Sequence, residues 1–181
     1  MFYRDNEVMK LIYVTGPPGS GKSTIQKRLV ERSYIAFDID DNRFGGPVNL
    51  ETDKRVEMPA ASERAADWFD RHEWRISRES IVNLKQQALE SDQTYYLCGT
   101  ASTDHLVWDL FDEVYYLSID QETLAKRIKE RKDNDFGKNE KELELILKRH
   151  SEMNQKIKTT HHVSINAKEP VDAIVDRLLA Q

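Results

Sequence analysis

The length, composition and charge of the chain are those of an acidic globular protein, and they exclude several classes of partner. Its 181 residues are 39% hydrophobic and 33% charged, with a formal net charge of −5, which suits one domain with a substantial core. We expect no nucleic-acid partner, because a phosphate-backbone binder carries a dense basic face. We expect no membrane partner, because no apolar run approaches the roughly 20 residues that span a bilayer. A single cysteine and a charged N-terminal segment favour the cytoplasm.

The predicted elements alternate between strands and helices along the chain. In order, the pattern predicts a strand at 8–15, a helix from Lys22 to about Arg32, a strand at 33–40, largely irregular chain at 42–60, and helical periodicity from about Ala60 to Glu90. Strands at 94–100 and 113–119, a helix at 121–132 capped by Asp120, a helix around Leu143 and Leu147, a strand at 162–167 and a helix from Val171 to Leu179 follow. This alternation predicts an α/β fold with a five-stranded, mainly parallel sheet, whose ligands bind beyond the carboxyl ends of the strands.

The first predicted strand leads into GPPGSGKST, residues 16–24. Residues 16–23 match the pattern G-x-x-x-x-G-K-[ST] between a strand and a helix. The glycines let backbone N–H groups converge on an anion, and the N-terminus of the following helix adds its dipole. Lys22 can then reach the β- and γ-phosphates, and the Ser23 hydroxyl can bind Mg²⁺. The residues predicted to bind nucleotide phosphates are Gly16, Pro17, Pro18, Gly19, Ser20, Gly21, Lys22, Ser23 and Thr24.

Two carboxylates follow the second predicted strand in the sequence FDIDD. Asp38 and Asp40 would lie on the same side of an extended strand. Opposite a bound triphosphate they could hold a Mg²⁺–water shell, with Asp38 near the metal, and accept the proton of an attacking hydroxyl. The alternative is a solvated acidic turn. We predict both as catalytic residues and leave open which of them is the base.

The segment from 42 to 80 combines aromatic residues with arginines. Such residues could stack a base or grip an acidic group, although Trp and Phe at helical spacing are more often core. Arg43 or Arg75 is a candidate for binding an acidic acceptor. The set comprises Arg43, Phe44, Trp68, Phe69, His72, Trp74, Arg75 and Arg78.

The third predicted strand ends in Cys98-Gly99-Thr100. No His lies near Cys98 in the sequence, so we interpret Cys98 as a small buried hydrophobe and not as a nucleophile. Gly99 is expected to permit a close approach of substrate or backbone. No Asp-Glu pair ends this strand, which disfavours a motor ATPase, and the absence of N-K-x-D disfavours a GTPase switch.

Four motifs occur in the same order as in a known family: GPPGSGKST, FDIDD, LCGT and RIKER. In these the chain resembles the small P-loop kinases of the adenylate, shikimate and gluconate kinase type. The segment LFDEVYYLSIDQETLAKRIKERKDNDFGK is also similar to bacterial proteins known as nucleoside kinase-like ATPases. The resemblance implies a three-layer P-loop NTPase fold over a single domain, 1–181, with an acceptor-binding region at about 42–80 and a short lid at about 132–139.

The resemblance also implies roles for residues in the second half of the chain. Arg127 would stack on the adenine ring, and Arg131 would contact the transferring phosphate as a catalytic residue. Asn166, with Ala167, would wall the adenine, for which the alternative is a plain turn, and Lys138 could add a phosphate contact. Arg127 and Arg131 are four residues apart and would lie on one face at the end of the predicted helix. The alternative for these arginines is a solvated basic helix face.

The expected function is transfer of the γ-phosphate of Mg-ATP to a small acceptor. The acceptor would carry a nucleoside, nucleotide, polyol or shikimate-like hydroxyl, and the protein would act as a monomer or homodimer with ATP and Mg²⁺ as cofactors. The alternative is an ATP-binding regulatory module without phosphotransfer activity. The carboxylate pair and the arginine pair favour the kinase, because a sensor needs neither.

Overall fold

The computed structural model describes residues 10–60, 63–64, 67–132, 136–158 and 161–180. In chain order its elements are β1 (Leu11–Thr15), α1 (Lys22–Glu31), β2 (Ile35–Asp38), β3 (Gly45–Asn49), α2 (Trp68–Arg71), β4 (His72–Ile76), α3 (Arg78–Ser91), β5 (Tyr95–Cys98), β6 (Glu113–Ser118), α4 (Gln121–Glu130), α5 (Glu140–Ile157), β7 (Val163–Asn166) and α6 (Val171–Leu179). Short 3₁₀ helices at Asp104–Leu106 and Trp108–Leu110 connect β5 to β6. None of the helices within these ranges is long and apolar enough to cross a membrane.

In the described part of the chain the main sheet has five strands in the order β2-β5-β1-β6-β7. Every neighbouring pair is parallel, so all the carboxyl ends lie at one edge. The strand β1 lies at the centre, where Val14 pairs with Cys98 on one side and Tyr115 on the other. Its five residues are all buried, which explains why the sequence reads as a continuous apolar run there. The predicted α/β fold is confirmed.

Helices cover both faces of the main sheet and enclose separate hydrophobic clusters. Ile12 and Val14 of β1 point to the cluster that contains side chains of α1, α4, α5 and α6. Leu11 and Tyr13, which alternate with them, point to the cluster that contains side chains of α3 and the 3₁₀ segment. The result is the three-layer arrangement expected of a P-loop fold.

The prediction of irregular chain at 42–60 followed by helix from 60 to 90 is wrong in part. The strands β3 and β4 pair antiparallel as a small second sheet, and the long helix α3 begins only at Arg78. A Cβ on Gly45 would lie 2.1 Å from the Arg75 carbonyl oxygen, so glycine is what permits the strands to approach. Pro47 is tolerated because both strands of a two-stranded sheet are edge strands.

The two ends of α4 determine the positions of its cap residue and of the two predicted site arginines. Asp120 caps α4 as predicted, since its carboxylate accepts the Thr123 N–H at 2.8 Å. The helix α4 ends at Glu130, and Arg131 has extended backbone at ψ 148°. Arg127 and Arg131 therefore do not share a helix face, because the chain leaves the helix before Arg131.

Candidate active site

The loop from Gly16 to Gly21 joins the central strand to α1 and opens towards solvent at its end. Gly21 is the N-cap of α1 with φ +102°, and a Cβ there would meet no atom within 4 Å. Gly16 instead faces the protein, because a Cβ there would lie 2.9 Å from the Leu117 carbonyl oxygen. Ser20 is buried, and its hydroxyl has no hydrogen-bond partner among the described residues. An orphaned hydroxyl and a free helix N-terminus beside open space suit a bound phosphate.

Lys22 lies folded back on its own loop. Its ammonium donates hydrogen bonds to the carbonyl oxygens of Gly16 and Pro17 at 2.7 and 2.9 Å. Burial lowers the pKa of Lys22 from 10.5 to about 8, and the carboxylates of Asp40 and Asp38 offset part of this effect. The phosphates of a nucleotide would be stronger partners for this ammonium than the two carbonyl oxygens, because they carry negative charge.

Asp38 and Asp40 lie close together, although not in the way that the sequence predicts. The strand β2 ends at Asp38, and Asp40 lies in the following turn. The backbone N–H of Asp40 donates a hydrogen bond to Asp38 Oδ1 at 3.0 Å. The prediction that both alternate along one extended strand is wrong. Burial raises the pKa of Asp40, and the neighbouring charge of Asp38 raises it further. Asp40 is therefore a carboxylate with a raised affinity for a proton.

A cleft of about 460 Å³ lies beside the loop; we call it the P-loop cleft. Residues 19–25 form one wall, including Ser23 and Thr24, and Arg127, Arg131 and Ala167 line the other. Arg127 donates a hydrogen bond to the Ala167 carbonyl oxygen at 3.0 Å, which joins α4 to the turn after β7. The structure therefore brings both predicted arginines to the nucleotide side of the loop, where a base and its phosphates would lie.

Asn166 does not line this cleft. Its side-chain oxygen accepts the Lys168 N–H at 3.0 Å and shapes the turn after β7. Ala167 is the residue that reaches the cleft wall. The predicted lid at 132–139 falls partly on residues 133–135, outside the described residues. Lys138 donates to the Lys129 carbonyl oxygen at 2.9 Å.

A second cleft of about 310 Å³ lies between α5, the 3₁₀ segment and the region of α2 and β4; we call it the α5 cleft. It is lined by Phe69, His72, Asp104 and Trp108, and by Arg149 and Lys156 of α5. Arg149 is half-buried and makes neither a hydrogen bond nor an ion pair within the described ranges. Burial lowers the pKa of Arg149. The carboxylates of Glu152, Asp70 and Glu73 offset part of this effect, and Glu152 and Glu73 line the same cleft. Because none of them forms a close ion pair with Arg149, its guanidinium could also bind an anionic or oxygen-rich group.

Asp104 links this cleft to the root of the loop. Its carboxylate is 5% exposed, and its Oδ2 lies 3.1 Å from the Tyr13 hydroxyl, 3.5 Å from the Thr15 hydroxyl and 3.4 Å from the Thr100 hydroxyl. Burial raises the pKa of Asp104. Thr15 immediately precedes the loop, so Asp104 joins the lining of the α5 cleft to the residue from which the loop starts. The sequence predicts neither Asp104 nor Arg149 as a site residue, because each stands in a segment without a recognisable motif.

Most of the predicted aromatic and arginine residues between 42 and 80 have structural partners. Arg43 pairs with Asp41 at 2.9 Å, and Arg75 pairs with Glu73 at 2.5 Å. Neither arginine lines a described cleft. Trp68 is buried and its ring stacks on His72 at 4.3 Å, so the interpretation of this tryptophan as core is confirmed.

Cys98 and Gly99 support the floor of the site. Cys98 is fully buried and burial raises the pKa of its thiol, which confirms that it is an unreactive core residue. A Cβ on Gly99 would lie 1.9 Å from Ile39 Cγ2. Gly99 therefore permits a close approach, but of the chain segment between Asp38 and Asp40 and not of a substrate.

The oxygen donors at the loop suit Mg²⁺ bound together with a nucleotide. Ser23 lines the P-loop cleft, and Asp38 keeps Oδ2 without a hydrogen bond in the described ranges. No group of three His, Cys, Asp or Glu side chains there could hold a metal ion by itself. Mg²⁺ ordinarily takes one or two protein ligands together with phosphates and water, and Ser23 and Asp38 could supply them.

Loop, strand order and layers together define a P-loop protein with the three-layer fold of the small kinases. Residues 12–148 match the family model described as "AAA domain", and the chain belongs to this family. No sequence among the curated proteins matches the chain.

Solved structures share this fold along nearly the whole chain. A shikimate kinase from Acinetobacter baumannii in complex with shikimate has 17% identity and a TM-score of 0.56 over 96% of this chain and 92% of that one. A gluconokinase from Sinorhizobium meliloti 1021 has 16% identity and a TM-score of 0.51 over 94% and 89%. A shikimate kinase from Aquifex aeolicus has 14% identity and a TM-score of 0.54 over 93% and 94%. The resemblance to small P-loop kinases is thus confirmed for the fold.

Proposed function

We propose that this protein is a kinase that transfers the γ-phosphate of Mg-ATP to a small acceptor. The observation that carries the proposal is a cleft at the loop together with a second cleft whose lining residue Asp104, like Asp40 and Arg131, is close enough to Lys22 to interact electrostatically. A regulatory ATP-binding module needs one cleft for the nucleotide, whereas a kinase needs a second one for the acceptor. Members of the same fold include shikimate kinase and gluconokinase, which supports this class of reaction.

The nucleotide would occupy the P-loop cleft. Its phosphates would replace the Gly16 and Pro17 carbonyl oxygens as the partners of Lys22, because a phosphate oxygen is the stronger acceptor for an ammonium. The adenine would lie near Arg127, whose guanidinium the Ala167 carbonyl holds in place. Mg²⁺, when bound, would neutralise phosphate charge next to Ser23 and Asp38.

The acceptor would occupy the α5 cleft with a hydroxyl near the carboxylates at the strand ends. Asp40 is our candidate base, because burial and Asp38 both raise its pKa and so increase its affinity for a proton. Arg149 is our candidate anchor for a carboxylate or phosphate of the acceptor, such as a nucleotide or a hydroxy acid. The carboxylates of Glu73 and Glu152 in the same cleft would then face the hydroxyl groups of the acceptor. A volume of about 310 Å³ limits the acceptor to a small molecule.

The test is a screen for ADP release from Mg-ATP with nucleosides, nucleotides, polyols and shikimate-like acids. We expect one acidic class to stimulate ADP release and the Lys22→Met variant to abolish it. Arg149→Met should raise the KM for that acceptor by at least about tenfold, the value of a charged hydrogen bond, and leave the affinity for Mg-ATP unchanged.

The exposed neighbour Lys148 provides a matched control, because Lys148→Met removes a cation from the same helix outside the cleft. Binding of Mg-ATP without phosphotransfer to any acceptor in the panel would overturn the proposal in favour of a regulatory module. Equal effects of Arg149→Met and Lys148→Met would show that the acceptor lies elsewhere.

A further inference from the structure

A buried carboxylate, Glu142, holds the turn at residues 136–139, which leads into α5. Asn139 caps α5 and accepts the Glu142 N–H at 2.9 Å. A glutamate at this position ordinarily returns to the amide of the cap residue. Glu142 instead accepts the Gly137 N–H at 2.7 Å with one oxygen and pairs with Arg64 at 2.7 Å with the other. The Glu142 carboxylate thus does not cap the helix but connects the turn at Gly137 to the segment that contains Arg64.

The ion pair between Arg64 and Glu142 is nearly closed to solvent. Their side chains are 6% and 9% exposed, and Arg64 Nε is buried without a hydrogen-bond partner among the described residues. Desolvation offsets much of the attraction in such a pair, so its contribution to stability is small at best. The ion pair instead fixes the positions of the groups around it, the Gly137 amide and the Phe69 ring.

The turn held by Glu142 contacts both sides of the site. The Phe136 carbonyl oxygen accepts a hydrogen bond from the Arg131 guanidinium, and Arg131 lines the P-loop cleft. The Phe136 ring lies 4.7 Å from the Phe69 ring, and Phe69 lines the α5 cleft. The Arg64 guanidinium covers the same Phe69 ring at 5.1 Å. One turn therefore contacts the phosphate-side arginine and a wall of the other cleft.

The backbone of this turn has little room to move while α4 and α5 stay packed. Gly137 has φ +91°, and a Cβ there would lie 2.6 Å from Ile146 Cδ1 and 2.7 Å from Ile128 Cγ2. The Cα of Gly137 is thus packed against side chains of both helices. The hydrogen bond from its N–H to Glu142 fixes the direction of the Phe136 carbonyl, which belongs to the same peptide group.

We propose that Glu142 is a positioning residue for Arg131, and that Arg64 ties the same turn to the wall of the α5 cleft. The proposal rests on the proposed function only in assigning the γ-phosphate as the partner of Arg131. Glu142 orients the Phe136 carbonyl, the carbonyl orients the guanidinium, and the guanidinium meets the γ-phosphate of the nucleotide. Loss of Glu142 should therefore mimic loss of Arg131.

The test compares the affinities for AMP-PNP and ADP by calorimetry, since only AMP-PNP has a γ-phosphate. We expect Arg131→Ala to lower the ratio of the two affinities at least about tenfold, the value of a charged hydrogen bond, and Glu142→Gln to lower it at least about threefold. The double variant should behave like Arg131→Ala alone, because residues that act in series are not additive. Arg64→Met gives a second route to the same result if Glu142→Gln does not fold.

Glu113→Gln is the matched control, because it breaks another long-range ion pair, to Lys10 at 2.6 Å, at the start of β6. It should leave the ratio unchanged. An unchanged ratio in Glu142→Gln or Arg64→Met, or additive effects in the double variant, would overturn the proposal. If the wild type transfers no phosphate to any acceptor, the proposed function fails, but the ratio of affinities still decides the role of Glu142.

Discussion

Protonation of Lys22 should be coupled to nucleotide binding. Burial lowers the pKa of Lys22 to about 8 in the ligand-free protein, so its ammonium loses a proton as the pH rises through that value. Bound phosphates stay anionic above pH 7, because the second pKa of a phosphate is about 6. They favour the ammonium and raise the pKa of Lys22 in the complex. The nucleotide therefore binds more tightly to the protonated form.

The size of the effect follows from that pKa. With a pKa of about 8 in the free protein and a much higher one in the complex, Mg-ATP binding should take up about 0.1 proton at pH 7, about 0.5 at pH 8 and about 0.9 at pH 9. The dissociation constant should rise about tenfold from pH 7 to pH 9. The sign is fixed, because only the unliganded lysine is deprotonated in this range.

Calorimetry in buffers of different ionisation enthalpy measures the proton uptake directly. The Lys22→Arg variant keeps its charge at every pH used, and Lys22→Met has none to lose, so both should bind Mg-ATP without proton uptake. Asp40→Asn controls for titration of the nearby carboxylate. Absence of uptake in the wild type at pH 8, or persistence of uptake in Lys22→Met, would refute the assignment of a buried, phosphate-binding lysine.

Other residues provide separate tests. Asp40→Asn should lower phosphotransfer by roughly 10²-fold or more, as for a positioned base, with little change in ATP affinity; near-normal turnover in a rapid-quench assay would exclude Asp40 as the base. Arg127→Ala should weaken ATP binding several-fold by calorimetry, since it removes the guanidinium that the Ala167 carbonyl holds at the cleft wall; an unchanged affinity would show that the adenine ring binds elsewhere. Gly99→Ala should destabilise the fold by about 1–3 kcal/mol in urea unfolding, since its Cβ would overlap Ile39; wild-type stability would show that the strand ends can relax.

The main sheet could be predicted because its strands carry the signal locally. Each is a short apolar run between helices, and a parallel sheet buried on both faces requires such runs. The small second sheet could not be predicted in the same way. Gly45, Gly46 and Pro47 break the strand pattern of β3, and the partner strand is distant in sequence, since Gly45 pairs with Ile76, 31 residues further along. The sequence HEWRI in β4 alternates with period 2, which by itself predicts a strand. The helical spacing of the neighbouring apolar residues led to the prediction of a helix there instead.

The residues of the candidate site likewise fall into those that a local sequence pattern predicts and those that it does not. The P-loop is a contiguous motif, so the sequence alone places Lys22 and Ser23. Asp104, Arg149 and Glu142 gain their meaning from burial and from partners distant in the chain, which no local pattern encodes. Glu142 did carry a signal, the pair Asn139 and Glu142 at capping-box spacing. That spacing predicts a helix cap, whereas the carboxylate in fact binds Arg64 and Gly137.

The order of the strands explains why such distant residues meet at one loop. The strand β1 lies between β5 and β6, so the loop that follows it is flanked at the carboxyl edge by the connections that leave both neighbours. The connection after β5 supplies Asp104, whose carboxylate contacts Thr15 at the start of the loop. The connection after β6 supplies α4, which lines the P-loop cleft, and then α5, which lines the α5 cleft. Because β7 runs parallel to β6, the chain has to return from the carboxyl edge of the sheet to the amino edge between them, and α4 and α5 make up this crossover. Asp104 from the connection after β5 and Arg149 from the connection after β6 thus both line the α5 cleft, near the strand ends where ligands of open α/β sheets bind.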